Sequence, residues 1–266
     1  MMRAICETCG TQFAEASPGH CPICEDERQY VGWQGQSWTT HEGLHAKYSL
    51  RLEEEGGLPV IGLVPDFAIN QRALYLATDA GHILWECVSL VTAEAVAALK
   101  ARGGLHKIVI SHPHFYSSMV EWSEAFGGIP ILLHEADKTW VQRPSRNIQF
   151  WSGDELRLSD AVTLIRCGGH FPGSTVLHWR DGPRPGGALF PGDALQVVSD
   201  RRHVSFMYSY PNLIPMRPSD VTDIRRRLGC YAFEDVFGFT WRRNIIGGGR
   251  KAVDESFDRY LKAVAH

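Results

Sequence analysis

The apolar positions of the chain fall into short runs separated by glycine turns. Runs over 45–52, 59–69, 72–78 and 82–88 read as β-strands, punctuated by Gly56-Gly57 and by Asp79-Ala80-Gly81. The pattern then changes. Ala and Leu recur at helical spacing over 92–102 and end at Gly103-Gly104, after which the apolar run Lys107-Ile108-Val109-Ile110 predicts a buried strand. From there helix and strand alternate. A helix over 117–126 closes at Gly127-Gly128, a strand follows over 129–134 and a short helix over 135–141. Strands return over 154–167, 175–180 and 188–190. Two more helices are predicted, one over 219–228 starting at a Ser cap and one over 253–264 with Val253, Phe257, Tyr260, Leu261 and Val264 on one face. Two groups of strands with intervening helices suit an α+β chain built as a four-layer αββα sandwich.

Potential metal ligands stand where predicted strands run into glycine turns. His112 and His114 form a His-x-His pair just past the run at 107–110. Gly168-Gly169-His170-Phe171-Pro172-Gly173 and Leu189-Phe190-Pro191-Gly192-Asp193 each end a strand-like segment on a further ligand candidate. Three neutral imidazoles and one carboxylate suit zinc or another divalent metal, and a catalytic zinc acidifies water to a pKa of about 7.

The order of these segments resembles the metallo-β-lactamase superfamily, over roughly residues 45–266. That resemblance implies the αββα fold and a first metal held by His112, His114 and His170, with Asp193 matching the bridging aspartate of the family's fourth motif. Asp79 resembles the early strand-end aspartate that supports the site, and an ordinary Asx turn accounts for it equally well. Two departures stand out. The family's His-x-His-x-Asp-His is here His112-Pro113-His114-Phe115-Tyr116-Ser117, and no histidine follows the segment 235–240, which runs into Trp241-Arg242-Arg243-Asn244. A single-metal site is therefore expected. Tyr116 is a candidate to replace the missing aspartate in catalysis, and Arg242, Arg243 and Asn244 are candidates to hold an anionic part of a substrate.

The front of the chain carries a second pattern. Cys6-x-x-Cys9 and Cys21-x-x-Cys24 give four thiolates able to close tetrahedrally on one ion. A segment of about 25 residues cannot bury enough apolar surface to fold unaided, so metal binding would supply the missing free energy. The knuckles resemble those of zinc ribbons and rubredoxin. Zinc would make the module structural, whereas iron in the same sulfurs would make it an electron carrier; zinc is favoured because the chain shows no flavin or nicotinamide fingerprint. The chain is thus divided into a four-cysteine, zinc-ribbon-like module with linker over 1–43 and a metallo-β-lactamase-like domain over 44–266.

Other features are assigned plain roles. Arg225-Arg226-Arg227 reads as helix surface, Gly247-Gly248-Gly249 as a flexible turn, and His134 and His203 as structural histidines. The aromatic segment 205–215, with Met207, Tyr208 and Tyr210, suits a lid over the pocket or a homodimer contact.

Composition narrows the function classes. At 266 residues and 44% apolar content the chain can bury one large core plus a small appendage. A net charge of −3 and an acidic knuckle module argue against nucleic-acid and anionic-membrane partners. There is no apolar signal segment at the N-terminus and no run approaching the ~18 apolar residues of a membrane span, and the cysteine count is odd, which together predict a reduced, cytoplasmic protein. The leading expectation is a metal-dependent hydrolase attacking an ester, thioester or lactone-like carbonyl of a small-molecule substrate. Its alternatives are a non-catalytic binding protein on the same fold and a redox protein with iron in the knuckles and the histidine site.

Overall fold

The computed structural model describes residues 2–265. Two β-sheets form its centre. The first has seven strands in chain order, Ser49–Glu55, Leu58–Val64, Ala73–Thr78, Gly81–Trp85, Lys107–Val109, Ile131–His134 and Ile148–Trp151. The first four pair antiparallel, and the last three are added in parallel. The second sheet has six strands, Glu155–Arg157, Val162–Arg166, Thr175–Trp179, Ala188–Phe190, Asp235–Phe237 and Asn244–Ile246, antiparallel except where Ala188–Phe190 meets Asp235–Phe237.

The layers follow from where the apolar faces go. Val60, Leu74 and Trp85 of the first sheet meet Leu164, Leu177 and Phe190 of the second, forming the inner core. Leu99 and Trp122 cover the outer face of the first sheet from helices Ala93–Ala101 and Met119–Ala125. Val221, Ile224, Val253 and Phe257 cover the second from helices Pro218–Leu228 and Gly249–Ala263. Helix, sheet, sheet, helix is the αββα sandwich expected from the patterning.

Local chemistry moved several boundaries. The run at 45–52 is split, because the Thr40 side chain accepts from Gly43 N and starts a helix over His41–Lys47, leaving the strand to begin at Ser49. The long strand predicted over 154–167 folds back on itself: Ser159 Oγ accepts from Ala161 N and Val162 N, turning Glu155–Arg157 against Val162–Arg166. Ser219 does not cap its helix. Pro218 sits in the first turn instead, where its missing N–H costs nothing.

At the front, Ile5–Cys6 pairs with Trp38–Thr39 and the short helix Pro22–Glu25 carries the second knuckle. This module lies against the domain: Ile5 packs into the same apolar cluster as Leu44, Ile61 and Tyr75. The parallel pairings matter for function, since ligands in α/β sheets collect beyond the carboxyl ends of parallel strands. His112 and His114 follow Lys107–Val109, Asp193 follows Ala188–Phe190, and Phe239 follows Asp235–Phe237.

Candidate metal centres

Cys6, Cys9, Cys21 and Cys24 are buried and converge with their sulfurs within 4.8 Å of one another. None is in a disulfide. Cys6 Sγ lies 3.5 Å from Cys24 Sγ, and Cys9 Sγ 3.7 Å from Cys21 Sγ. Zinc–sulfur bonds of about 2.3 Å in a tetrahedron place sulfurs about 3.8 Å apart, so the donor set fits an ion. The crowding of thiols pulls Cys6 far below the ordinary range, since its neighbours hydrogen-bond to its sulfur. Cys9 N and Gln36 Nε2 also donate to that sulfur, at 3.5 and 3.1 Å.

The second cluster joins residues distant in sequence. His112, His114, His170 and Asp193 each offer a ligand atom within 4.8 Å of the others, and all are buried. His170 Nε2 stands 3.3 Å from His114 Nδ1, and Asp193 Oδ2 stands 3.5 Å from His112 Nε2 and 3.8 Å from His170 Nε2. Nitrogen ligands at about 2.0–2.1 Å from one tetrahedral ion are about 3.3 Å apart, which this arrangement approaches. His112 Nε2, His114 Nε2 and Asp193 Oδ1 are buried without a hydrogen-bond partner. Polar atoms are rarely orphaned in this way, and of the three it is His112 Nε2, facing Asp193 Oδ2, that an ion held at the point of convergence would satisfy. Burial holds His112 and His114 well below the ordinary histidine range and His170 down at about 3, so all three are neutral with lone pairs available.

Two of the imidazoles are oriented from behind. Ser111 Oγ lies 2.7 Å from His112 Nδ1. The His170 Nδ1–H donates to Tyr208 O at 2.9 Å, which leaves Nε2 as the free donor atom. Glu86, with φ +65° at the end of Gly81–Trp85, accepts Ser111 N at 3.1 Å, and burial pushes its carboxyl up to about 8. Gly192, at φ +53°, must lack a side chain because a Cβ there would collide with Ser111.

A cavity of about 150 Å³ opens on the cluster, lined by Arg28, Gln29, Tyr30, Ile69, His114, His170, Asp193, Tyr210, Pro211 and Phe239. The segment expected at 205–215 as a lid or dimer contact supplies Tyr210 to this wall and Tyr208 O to His170, so it covers the site. Arg28 is the basic residue of the lining. Its Nε and Nη2 are engaged by Asp26 at 2.5 and 2.8 Å, and its guanidinium lies 3.8 Å over the Phe171 ring.

Several residues singled out from the sequence lie elsewhere. Tyr116 is buried in the outer core and donates to Asp137 O at 3.3 Å; it does not line the cavity. Arg242, Arg243 and Asn244 are outside the lining as well. Asn244 is occupied by Arg72, which donates to its Oδ1 at 2.7 Å, and by Glu55, to which its Nδ2 donates at 2.8 Å. Asp79 is in an exposed turn and accepts from Ser159 Oγ at 2.6 Å, so the strand-end acid that reaches the site is Glu86. Gly247 N and Gly248 N donate to Asp235 and Glu234 at 2.9 and 2.6 Å, so the chain's own carboxylates hold this glycine turn.

Sequence reasoning missed Glu86, Arg28 and Phe239. The strand end before 86 was a usable signal for Glu86, whereas nothing near Arg28 or Phe239 in sequence announces a cleft. The chain also carries a His41-Glu42-x-x-His45 pattern. It lies on a separate helix with its histidine rings 6.4 Å apart, and among the described residues it is not in a converging metal-ligand group.

No family model matches the chain. Among solved structures, DIM-1 metallo-β-lactamase superposes with a TM-score of 0.58 at 14% identity, covering 82% of this chain and 100% of that one. The class B3 di-zinc metallo-β-lactamase LRA-12 from an Alaskan soil metagenome gives a TM-score of 0.50 at 16% identity, covering 79% and 90%. At such identities the likeness is one of fold, and the fold is that of the metallo-β-lactamases, here with a four-cysteine knuckle at the front. Within that fold the chain belongs to the family of the uncharacterized protein YmaE of Bacillus subtilis (strain 168), to which it is 42% identical over 265 residues, covering 98% of this chain and 96% of that one.

Proposed function

We propose that the protein is a hydrolase that uses a single divalent metal, zinc in the first instance, to cleave a small uncharged ester, thioester or lactone. The observation that carries this reading is the convergence of His112, His114, His170 and Asp193, the last three of which line a cavity. A metal held by these four residues would supply Lewis acidity and a nucleophilic water at neutral pH. The chain's own residues would do the rest. Ser111 and Tyr208 O fix the imidazole orientations, and Asp193 Oδ1, buried without a partner, is the atom placed to take a proton from the attacking water.

Substrate size and charge follow from the walls. A space of about 150 Å³ admits a small acyl group, and Ile69, Tyr210, Pro211 and Phe239 exclude water around it. Arg28 is paired with Asp26, so the lining presents little net charge for an anion. Tyr116 and Ser117 stand where a second metal would need ligands, and the Tyr116 side chain is turned away from the cavity, which supports a mononuclear site. All seven cysteines are free and no helix among the described residues is long and apolar enough to cross a membrane, which supports a reducing, cytoplasmic setting.

The test is a hydrolysis screen with activated esters, thioesters and lactones on zinc-loaded protein, with His112→Ala beside it. Turnover lost by at least about a hundredfold in the variant is expected. Equal rates in both would overturn the assignment, and no turnover with any substrate would favour a ligand-binding protein that keeps the fold.

A further inference from the structure

The knuckles and the histidine cluster meet through two side chains that belong to neither ligand set. Gln71, buried at 4% exposure, directs its Nε2 at two backbone carbonyls, Cys9 O at 2.5 Å and His114 O at 3.2 Å. One carboxamide therefore ties the end of the first knuckle to the second histidine of His-x-His. Arg28, in the segment that leaves the second knuckle, donates from Nη1 to His170 O at 3.2 Å while Asp26 holds its other nitrogens. Two further bonds run alongside: Gln12 N donates to Ser117 O at 3.0 Å, and Ser89 Oγ to Gly10 O at 2.7 Å.

These contacts are asymmetric in consequence. The knuckle ligands come from one short segment whose order depends on its ion, because so few residues bury too little surface to hold it otherwise. The histidine ligands come from three loops, and two of those loops are held at a carbonyl by Gln71 or Arg28. Without an ordered knuckle, Arg28 is no longer fixed over Phe171 and Gln71 loses Cys9 O. The carbonyls of His114 and His170 are then left to rearrange, and a metal site that must organise its ligands on binding is a weaker one.

We infer, on the reading of the histidine cluster as a metal centre, that the knuckle ion is a prerequisite of the histidine site, so that the centres load in order. Gln71 and Arg28 are the positioning residues that carry this dependence. Loss of the histidine site, by contrast, leaves the knuckle loaded.

The experiment uses the full chain, with metal counted by elemental analysis and histidine-site affinity measured by zinc titration against a competing chelator. Cobalt replaces zinc in parallel, because thiolate charge-transfer bands report the knuckle alone, and the ligand-field bands of the histidine site are read as the difference between wild type and His112→Ala/His170→Ala. Expected are a loss of about tenfold or more in histidine-site zinc affinity in Gln71→Ala and in Arg28→Ala, with altered ligand-field bands and unchanged thiolate bands. Cys21→Ser/Cys24→Ser is expected to lose both ions and His112→Ala/His170→Ala only one. Histidine-site affinity within twofold of wild type in folded Gln71→Ala and Arg28→Ala would overturn the inference, as would a full histidine-site equivalent in the cysteine variant. Failure of the metal-centre reading looks different: wild type would then bind one ion only, and the histidine variant would lose none.

Discussion

The two metal-ligand clusters are both buried, yet they are made in opposite ways. The knuckle takes its four sulfurs from one stretch of chain, with Cys6 and Cys24 only 18 positions apart. The histidine site takes its ligands from loops of both sheets, and His114 and His170 alone are separated by 56 positions. The knuckle is closed, with every sulfur facing another sulfur, whereas the histidine site opens on a cavity and keeps Asp193 Oδ1 free. A closed four-sulfur site serves structure and an open one serves chemistry. The contrast also places the burden of order: local ligands need an ion to fold the segment, and dispersed ligands need a folded protein to meet at all.

The largest way to break this contrast is to remove the knuckle. Cys21→Ser/Cys24→Ser should cost on the order of 10 kcal/mol of metal-linked folding free energy at the front of the chain. Urea unfolding followed by the near-ultraviolet signals of Trp38 and Trp140, which pack on the knuckle core, reads that loss.

Asp137 sharpens the comparison from the other side, because the histidine loop rests on it: its Oδ1 accepts Gly173 N at 2.8 Å, close after His170. Burial pushes its carboxyl up to about 7 from 3.8. An acid raised in the folded state leaves stability untouched below its unfolded pKa and lowers it as pH rises from about 4 to about 7, after which the cost is constant. Asp137→Asn should therefore match wild type at pH 3 and exceed it above pH 7, by at most about 4 kcal/mol. Paired denaturation curves at the two pH values check the sign; a stabilisation present only in acid would refute it.

Ser111→Ala removes the oxygen behind His112 Nδ1 and should weaken zinc at the histidine site by about tenfold, near 1.4 kcal/mol, while the knuckle ion is retained. Chelator competition measures this. The smallest effect is expected at Arg243→Ala, outside the cavity, with stability within about 0.5 kcal/mol of wild type and KM for any substrate found in the screen unchanged. A KM raised severalfold would restore the anion-holding role that its sequence position suggested.

Much of this was written in local order. The Cys-x-x-Cys pairs, the apolar run before His112, and the glycine turns before His170 and Asp193 are each short patterns whose meaning survives without tertiary context, as is the strand-and-helix rhythm behind the αββα sandwich. Two departures arose where one side chain redirected the backbone: Thr40 turned part of a predicted strand into helix, and Ser159 folded a predicted strand into a hairpin.

What the tertiary structure alone decided is which residues face the cavity. Glu86 rather than Asp79 supports His112, Phe239 rather than the basic segment at 242–244 closes the wall, Tyr116 turns into the core, and Arg28 arrives from the knuckle. Ligand identity is carried by residue type and spacing, which a sequence displays. Neighbourhood across two sheets and a docked module is carried by packing between segments far apart in the chain, and no local pattern encodes that.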